Sequence, residues 1–443
     1  MLNTINVREI ALKILYKIDN DKAYSNIILD DEIEKYILEK RDKALLTKLV
    51  YGTLTYLITL DTIIQKYSNI KIKKISPWIL NILRMGIYQI IYLDKIPKRA
   101  VVNEAVNLSK KYGHKASSGF VNAILKKIES SELETLSFDN EVDKLSVLTS
   151  HPKWLIEELL KEYNFDKVTK ICEYNNIEPP VYIRLNTIKT NLDEVICELS
   201  KQGIEIEEIN VPNTVKVINS SDIANNQLFK QGYFTIQDAA ATLTGIVLDA
   251  KPNEEILDLC SAPGGKTTHI AELMNNTGNI VACDIYESRL KLVEDNAKRL
   301  NITNIKLKVN DATKLNAEYI NKFDRVLLDV PCSGIGVIRR KIDIKYQKDI
   351  DSLHDICDIQ YRILENASKY VKRNGVLVYS TCTIFKKENE ENVEKFLKNN
   401  PNFEIVDISD MVQDNCSNGK YIKTLPHVQD FDGFFIAKMV RKE

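Results

Sequence analysis

The stretch ILDLCSAPGGKTT, Ile256 to Thr268, restricts the folds open to this chain more than any other. Ile256 to Cys260 are apolar except for Asp258, the pattern of a buried parallel strand. Pro263, Gly264 and Gly265 then force a sharp turn, and KTTHIAELM can continue as a helix. Strand, glycine turn and helix in that order put backbone N–H groups and a helix N-terminus at the carboxyl edge of a sheet, where open α/β sheets hold nucleotide-like ligands. An ordinary helix-capping turn would look similar. A phosphate-binding P-loop fits less well. Gly265-Lys266-Thr267 matches the end of that motif, but its first glycine would fall on Cys260, and Pro263 lacks an N–H for the cradle.

Past this turn the pattern alternates between strands and helices. GNIVACD, NIKLKVND, FDRVLLDVPC and GVLVYSTC read as strands, separated by YESRLKLVEDNAKRLN and the long helix 350–372, with GFFIAKMVR as a closing strand. Such alternation predicts a mostly parallel sheet covered on both faces, a Rossmann-like α/β domain over 232–443. Its opening strand and helix would be GYFTIQDAAATLTGIVLDA, residues 232–250.

The front of the chain differs. Residues 1–130 keep apolar residues at helical spacing through VREIALKILYKID, KALLTKLVYGTLTYLITLDTIIQKY and WILNILRMGIYQIIYL, and predict an all-α bundle. This part holds 22 Lys/Arg against 13 Asp/Glu, although the whole chain has a net charge of −1. Between Lys66 and Lys127 stand 13 basic residues and two acids, Asp94 and Glu104, a balance that favours nucleic acid as partner. Residues 131–150 are polar and acidic without a sustained period, and read as a linker. Residues 151–231 begin with two helices and continue as VYIRLNT, NLDEVICELSKQG, IEIEEI and VKVI, a β-α-β-β order predicting a small α+β domain of ferredoxin-like or RNA-recognition type.

Three aspartates close successive strands: Asp284, Asp311 and Asp329. Asp284 lies near the ~20-residue interval past the glycine turn at which an acid meets a ribose hydroxyl. Asp311 could border an adenine, and Asp329 ends the strand beside the first at the sheet's switch point. A dinucleotide would call for G-x-G-x-x-G, which is absent, and ATP for the missing first glycine, although VLLD at 326–329 imitates a Walker B strand. S-adenosylmethionine needs only backbone contacts and acids, so Cys260, Ser261, Ala262, Pro263, Gly264, Gly265, Lys266, Asp284, Asp311 and Asp329 are its expected binding residues. Cys332 and Cys382 fall just beyond two strand ends, and both thiols would face one crevice if those strands are neighbours. Carbon 5 of cytosine needs such help: a thiolate adding at carbon 6 makes the ring a nucleophile toward a sulfonium methyl, and a base then removes the carbon 5 proton. Asp329 is placed to stabilise that adduct, and Lys266 to lower a thiol's pKa. Chemistry alone leaves open which cysteine attacks.

DLCSAPGGKT, DVPCSG, YSTCT and DGFF resemble the Nol/Nop/Sun family of RNA 5-methylcytosine methyltransferases. The front domain is similar to the NusB-like helical RNA-binding module at Val7–Asp19, Asp42–Leu54 and residues 96–113. With PPVYIRLNTIK at 179–189 the resemblance covers nearly the whole chain, and it implies the bacterial Sun/Fmu branch acting on small-subunit 16S ribosomal RNA. It also implies that Cys382 is the nucleophile and that Cys332 assists product release. The chain departs from the family pattern at Ser261, where alanine is usual, and at Ile342 and Tyr346, where proline and tryptophan are usual. The loop 339–346 would border the RNA, with Arg339 and Arg340 on phosphate or a base.

No apolar run is long enough to cross a bilayer, the amino terminus lacks a signal-peptide pattern, and eight cysteines without C-x-x-C spacing suggest free thiols. The expectation is a cytoplasmic monomer without metal. Rival expectations are the same reaction on transfer RNA, a non-catalytic RNA-binding or antitermination factor, and a P-loop ATPase.

Overall fold

In the computed structural model, which describes residues 6–442 apart from 22–27, 30, 31, 34, 37, 220, 221, 412–415 and 418, the chain divides into two compact units. One gathers residues 1–177 with 338–349, the other 178–337 with 350–443. The first five residues of the expected amino-terminal pattern lie outside the described residues.

The first unit is helical. Val7–Asp21, Lys40–Thr55, Leu57–Tyr67, Pro77–Tyr92, Lys98–Tyr112 and Lys115–Lys127 pack apolar stripes around buried Leu12, Ile14, Leu49, Ile63, Leu83 and Leu125. Pro77 suits the first turn of its helix, where an N–H would have no intrahelical partner. That helix is buried from Ile79 to Ile90 and carries Arg84 into the interior, where it pairs with Asp61 at 2.7 Å and Asp19 at 3.0 Å. Arg84 therefore does not belong to the basic surface, whereas Lys71, Lys73, Lys74, Arg99, Lys110, Lys126 and Lys127 are exposed.

Two expectations are corrected in this unit. Residues 131–150 are not an extended linker: Glu141–Thr149 is a helix capped by Asn140. It is tied to helix Leu57–Tyr67 by Thr59 Oγ1 donating to the Val147 carbonyl at 2.5 Å. Sequence alone hides it because the helix is short, its first turn is acidic, and the stretch 131–150 around it is polar. The loop 339–346 is likewise folded into this unit. Ile342 joins the helical core, and Lys345 Nζ donates to Asn176 Oδ1 at 2.7 Å and the Thr55 carbonyl at 3.1 Å. The helices Lys153–Leu160 and Phe165–Tyr174 also pack within this unit.

The second unit contains two sheets. Strands β1 (Val181–Leu185), β2 (Ile206–Glu208), β3 (Thr214–Val217) and β4 (Phe234–Ile236) form an antiparallel sheet in the order β2-β3-β1-β4. Phe234–Ile236, expected to open the catalytic domain, completes this small sheet instead, and Phe234 fills its core. The large sheet runs β10-β12-β9-β8-β5-β6-β7. Five of its strands, β5 (Glu255–Asp258), β6 (Asn279–Asp284), β7 (Ile305–Val309), β8 (Phe323–Asp329) and β9 (Val371–Thr381), pair parallel with one another. The closing strand β12 (Phe434–Arg441) inserts antiparallel between β9 and β10 (Phe403–Ile405), and β11 (Tyr421–Thr424) also pairs with it. The α/β class expected from the alternating pattern is what forms.

Candidate active site at the rim of the parallel sheet

The turn after β5 is held from several directions. The Ser261 N–H and Oγ both donate to the Cys283 carbonyl on β6, at 2.7 and 2.9 Å. A serine at this position thus adds a tether that alanine could not make. Arg289 Nη2 reaches the Ala262 carbonyl and Asn296 Nδ2 the Pro263 carbonyl, each at 3.1 Å. Gly264 has φ +105°, and a Cβ there would stand 3.0 Å from Val293 Cα. Only glycine meets both demands. From β1, fully buried Arg184 donates to the Gly265 carbonyl at 2.8 Å and pairs with Glu272 at 2.8 Å, fixing the start of helix Gly265–Leu273. Cys260 lines the turn, and burial pushes its thiol well above the usual range.

The acids occupy different surroundings. Asp258 ends β5 inside the protein; Oδ2 accepts from Thr267 Oγ1 at 2.6 Å, while Oδ1 is buried without a hydrogen bond. Burial pushes this carboxyl up to about 7. Asp284 ends β6 and receives the Tyr286 N–H at 3.1 Å, with Ile285 and Tyr286 exposed beside it. Asp311 caps its own turn through the Thr313 N–H and hydroxyl, which with Lys314 hold its carboxyl below the usual range. Asp329 ends β8 and is gripped by Lys266 Nζ at 2.6 Å and Ser380 Oγ at 3.0 Å. Burial opposes the charge on Lys266, but Asp329 outweighs it and leaves the ammonium above its ordinary pKa. The same Nζ lies 4.9 Å over the Phe434 ring.

The two cysteines meet. In the β8–β9 register Asp329 stands opposite Ser380, so Cys332 and Cys382 leave the sheet side by side, with sulfurs 3.1 Å apart. Both are partly exposed. The hydrogen bond to Cys382, then burial, hold the Cys332 thiol well above the usual range. Behind Cys382, two glycines let segments touch: Gly336 N–H donates to the Cys382 carbonyl at 3.0 Å and Gly433 N–H to the Gly336 carbonyl at 2.8 Å. A Cβ on Gly336 would sit 1.9 Å from the Gly433 oxygen and one on Gly433 would sit 2.7 Å from Gly336 Cα, which accounts for the glycine of DGFF.

Arg339 and Arg340 are not exposed groups. Arg339 is 4% exposed and Arg340 half-buried, both in the segment that belongs to the helical unit. A guanidinium buried to that degree is not offered to a phosphate. Conversely, sequence reasoning passed over Arg184, the orphaned oxygen of Asp258, and Glu388, a fully buried acid next to the cysteine loops. An acid and two amides at 388, 389 and 392 at the head of a helix were the available signal.

Family models match residues 245–440 as 16S rRNA methyltransferase RsmB/F, 5–130 as the NusB family, and 151–224 as the ferredoxin-like domain of RsmF/B-like methyltransferases. A Bacillus subtilis protein named "Probable ribosomal RNA small subunit methyltransferase B" is 39% identical, covering 99% of each chain. The chain belongs to the RsmB/F family of 16S rRNA methyltransferases. Ribosomal RNA small subunit methyltransferase B of Photorhabdus laumondii is 32% identical over the whole of both chains. Among solved structures, PH0851 aligns with a TM-score of 0.84 at 29% identity over 99% of each chain. NSun6 of Pyrococcus horikoshii, solved with SFG, aligns at 0.61 and 26% identity, over 67% of this chain and all of its own. In family terms, the architecture is a NusB-like helical domain, a small ferredoxin-like domain and a Rossmann-like methyltransferase domain.

Proposed function

We propose that this methyltransferase transfers a methyl group to carbon 5 of a cytosine in 16S ribosomal RNA through a covalent adduct with Cys382. The observation that supports this most is the 3.1 Å approach of Cys332 and Cys382 beside the Asp329–Lys266 pair. S-adenosylmethionine, when bound, supplies a methyl group on a sulfonium. The residues present suit it. Asp258 keeps a buried oxygen without a hydrogen bond, Asp284 ends β6, and Asp311 stands just past β7. These groups, with the backbone of 260–266, would hold the cofactor. The basic surface of the helical domain suits an RNA substrate.

The chain's own chemistry then divides by residue. Cys382 Sγ adds to carbon 6 of a base drawn out of its stack, and the ring electrons move toward carbon 5. Asp329, held by Lys266 and Ser380, faces N3 and the exocyclic amine and stabilises the adduct. Cys332, whose thiol is held protonated more firmly than an ordinary one, does not make the attack. Its part comes later, when a base takes the carbon 5 proton, the freed electron pair forms the carbon 5–carbon 6 double bond, and Cys382 leaves as a thiolate.

Cys382→Ala should abolish methylation while leaving cofactor affinity within about twofold, because the thiol takes no part in the cofactor turn. Full turnover in that variant would remove Cys382 from the reaction. Cys332→Ala should accumulate an RNA–protein adduct on a denaturing gel, and a clean gel would end its release role. Mapping 5-methylcytosine in total RNA with and without the protein separates 16S ribosomal RNA from transfer RNA as substrate.

A further inference from the structure

Glu388 lies fully buried immediately behind the two cysteines. Its Oε2 accepts the Ser333 N–H at 2.8 Å and Gln360 Nε2 at 2.9 Å. Its Oε1 accepts Thr383 Oγ1 at 2.9 Å and Ser333 Oγ at 2.5 Å. Ser333 directly follows Cys332, and Thr383 directly follows Cys382. One carboxylate therefore bridges the residues next to both thiols, and the Ser333 and Thr383 hydroxyls also meet at 2.9 Å.

The acid is itself fixed. Tyr379 OH donates to the Glu388 carbonyl at 2.6 Å, and Asn389 Nδ2 donates to the Thr383 carbonyl at 3.0 Å. Gln360 Nε2 also holds the Pro331 carbonyl at 3.0 Å, and Asn392 Nδ2 holds Gln360 Oε1 at 3.0 Å. Both cysteine loops thus hang from one buried polar network. Burial pushes the Glu388 carboxyl up, while these donors draw it back down. Burying an acid in this way costs free energy that an apolar residue would not, and the hydrogen bonds offset that cost only if every strut is made.

We propose that Glu388 is a positioning residue that sets the separation of Cys332 and Cys382, and so lets one thiol attack while the other serves release. It touches neither sulfur in this network. This rests on the reading of the two cysteines given above, but the separation can be measured apart from the reaction.

The test is Glu388→Gln in the full-length protein. Glutamine keeps the shape but has one acceptor oxygen and a donor NH2, so it cannot receive all four donors. Two quantities are read. The first is methylation, where turnover should fall about tenfold or more with KM for RNA and cofactor affinity within about twofold, since sub-ångström misplacement acts on the chemical step. The second is bridging of the two thiols by dibromobimane without RNA or cofactor. This is scored as the mass of the Cys332–Cys382 peptide pair against single alkylation of exposed Cys197, and it should fall about threefold or more. Unchanged bridging, or reduced bridging with unchanged turnover, overturns the proposal. If Glu388→Gln does not fold, Thr383→Val keeps the shape, removes one strut and decides by the same two readings. Because bridging needs no catalysis, a Cys382→Ala variant that still methylates would sink the cysteine assignment without touching the clamp.

Discussion

Two buried lysines in this protein behave in opposite ways. Lys266, on the rim of the catalytic sheet, keeps 15% of its side chain exposed and faces a carboxylate at 2.6 Å. Lys345, inside the helical unit, has no exposure, and its partners there are the Thr55 and Ser150 carbonyls and the Asn176 amide oxygen. Burial acts against the charge of both. Only Lys266 has a full negative charge to offset it, and its ammonium is held above the ordinary pKa. Lys345 is pushed down to about 7. Carbonyl dipoles satisfy a lysine's hydrogen bonds without matching the solvation that water gives its charge. The partner's charge, more than the depth of burial, decides the direction.

Exchanging the partners breaks the comparison most directly, and the largest effect falls on catalysis. Asp329→Asn gives Lys266 an amide like the one Lys345 has. On the proposed mechanism turnover should fall about a hundredfold or more, since both the acid proposed to stabilise the adduct and the charge on Lys266 are weakened. Lys266→Met should lose a similar factor, and the double variant should be no worse than the poorer single if the pair acts as one unit. Transfer of labelled methyl groups to RNA measures all three. Multiplicative losses would separate the two roles.

The second effect is on stability against pH. The folded pKa of Lys345 is depressed, so between about pH 7 and 10.5 the unfolded chain holds a proton that the folded protein does not. Stability from this group therefore rises with pH across that window, and the penalty is fully present below it. From pH 7 to pH 9 the gain is on the order of 2 kcal/mol. Denaturant unfolding of the parent and of Lys345→Met at both pH values isolates it, and equal slopes would refute the uncharged tendency of Lys345. The smallest change sharpens the contrast. Asn176→Asp supplies the missing carboxylate, so the pH 7 to 9 gain should shrink by about half or more. Part of the benefit is lost because the Thr149 carbonyl forfeits the Asn176 Nδ2 hydrogen bond, now 2.8 Å long.

The same contrast separates what could be read along the chain from what could not. Lys266 sits in a turn whose neighbours in sequence announce it: β5 before, glycine beside, helix after. Of the three acids expected at strand ends, Asp284 and Asp329 close β6 and β8 while Asp311 falls just past β7, and the pairing of β8 with β9 follows from the order of a doubly wound sheet. Lys345 gave no such signal. It was part of a loop read as bordering RNA, and its partners at Thr55, Ser150 and Asn176 are far away in sequence. Arg84 falls in the basic stretch 66–127 and Arg339 in the loop read as bordering RNA, yet both are buried. The helix Glu141–Thr149 was hidden by a polar composition, and β4 by adjacency to the domain that follows it.

Local periodicity and turn chemistry, which depend on neighbours within a few residues, determined the three-part architecture, the glycine turn and the acids at the strand ends. Whether a charge is buried, which oxygen it meets there and how far apart two thiols stand depend on segments distant in sequence. Folding alone decided those, because the free energy of a charge or a thiolate is set by what surrounds it in space. Lys345 among carbonyls, Lys266 against Asp329, and Glu388 between the two cysteine loops are three outcomes of that one dependence.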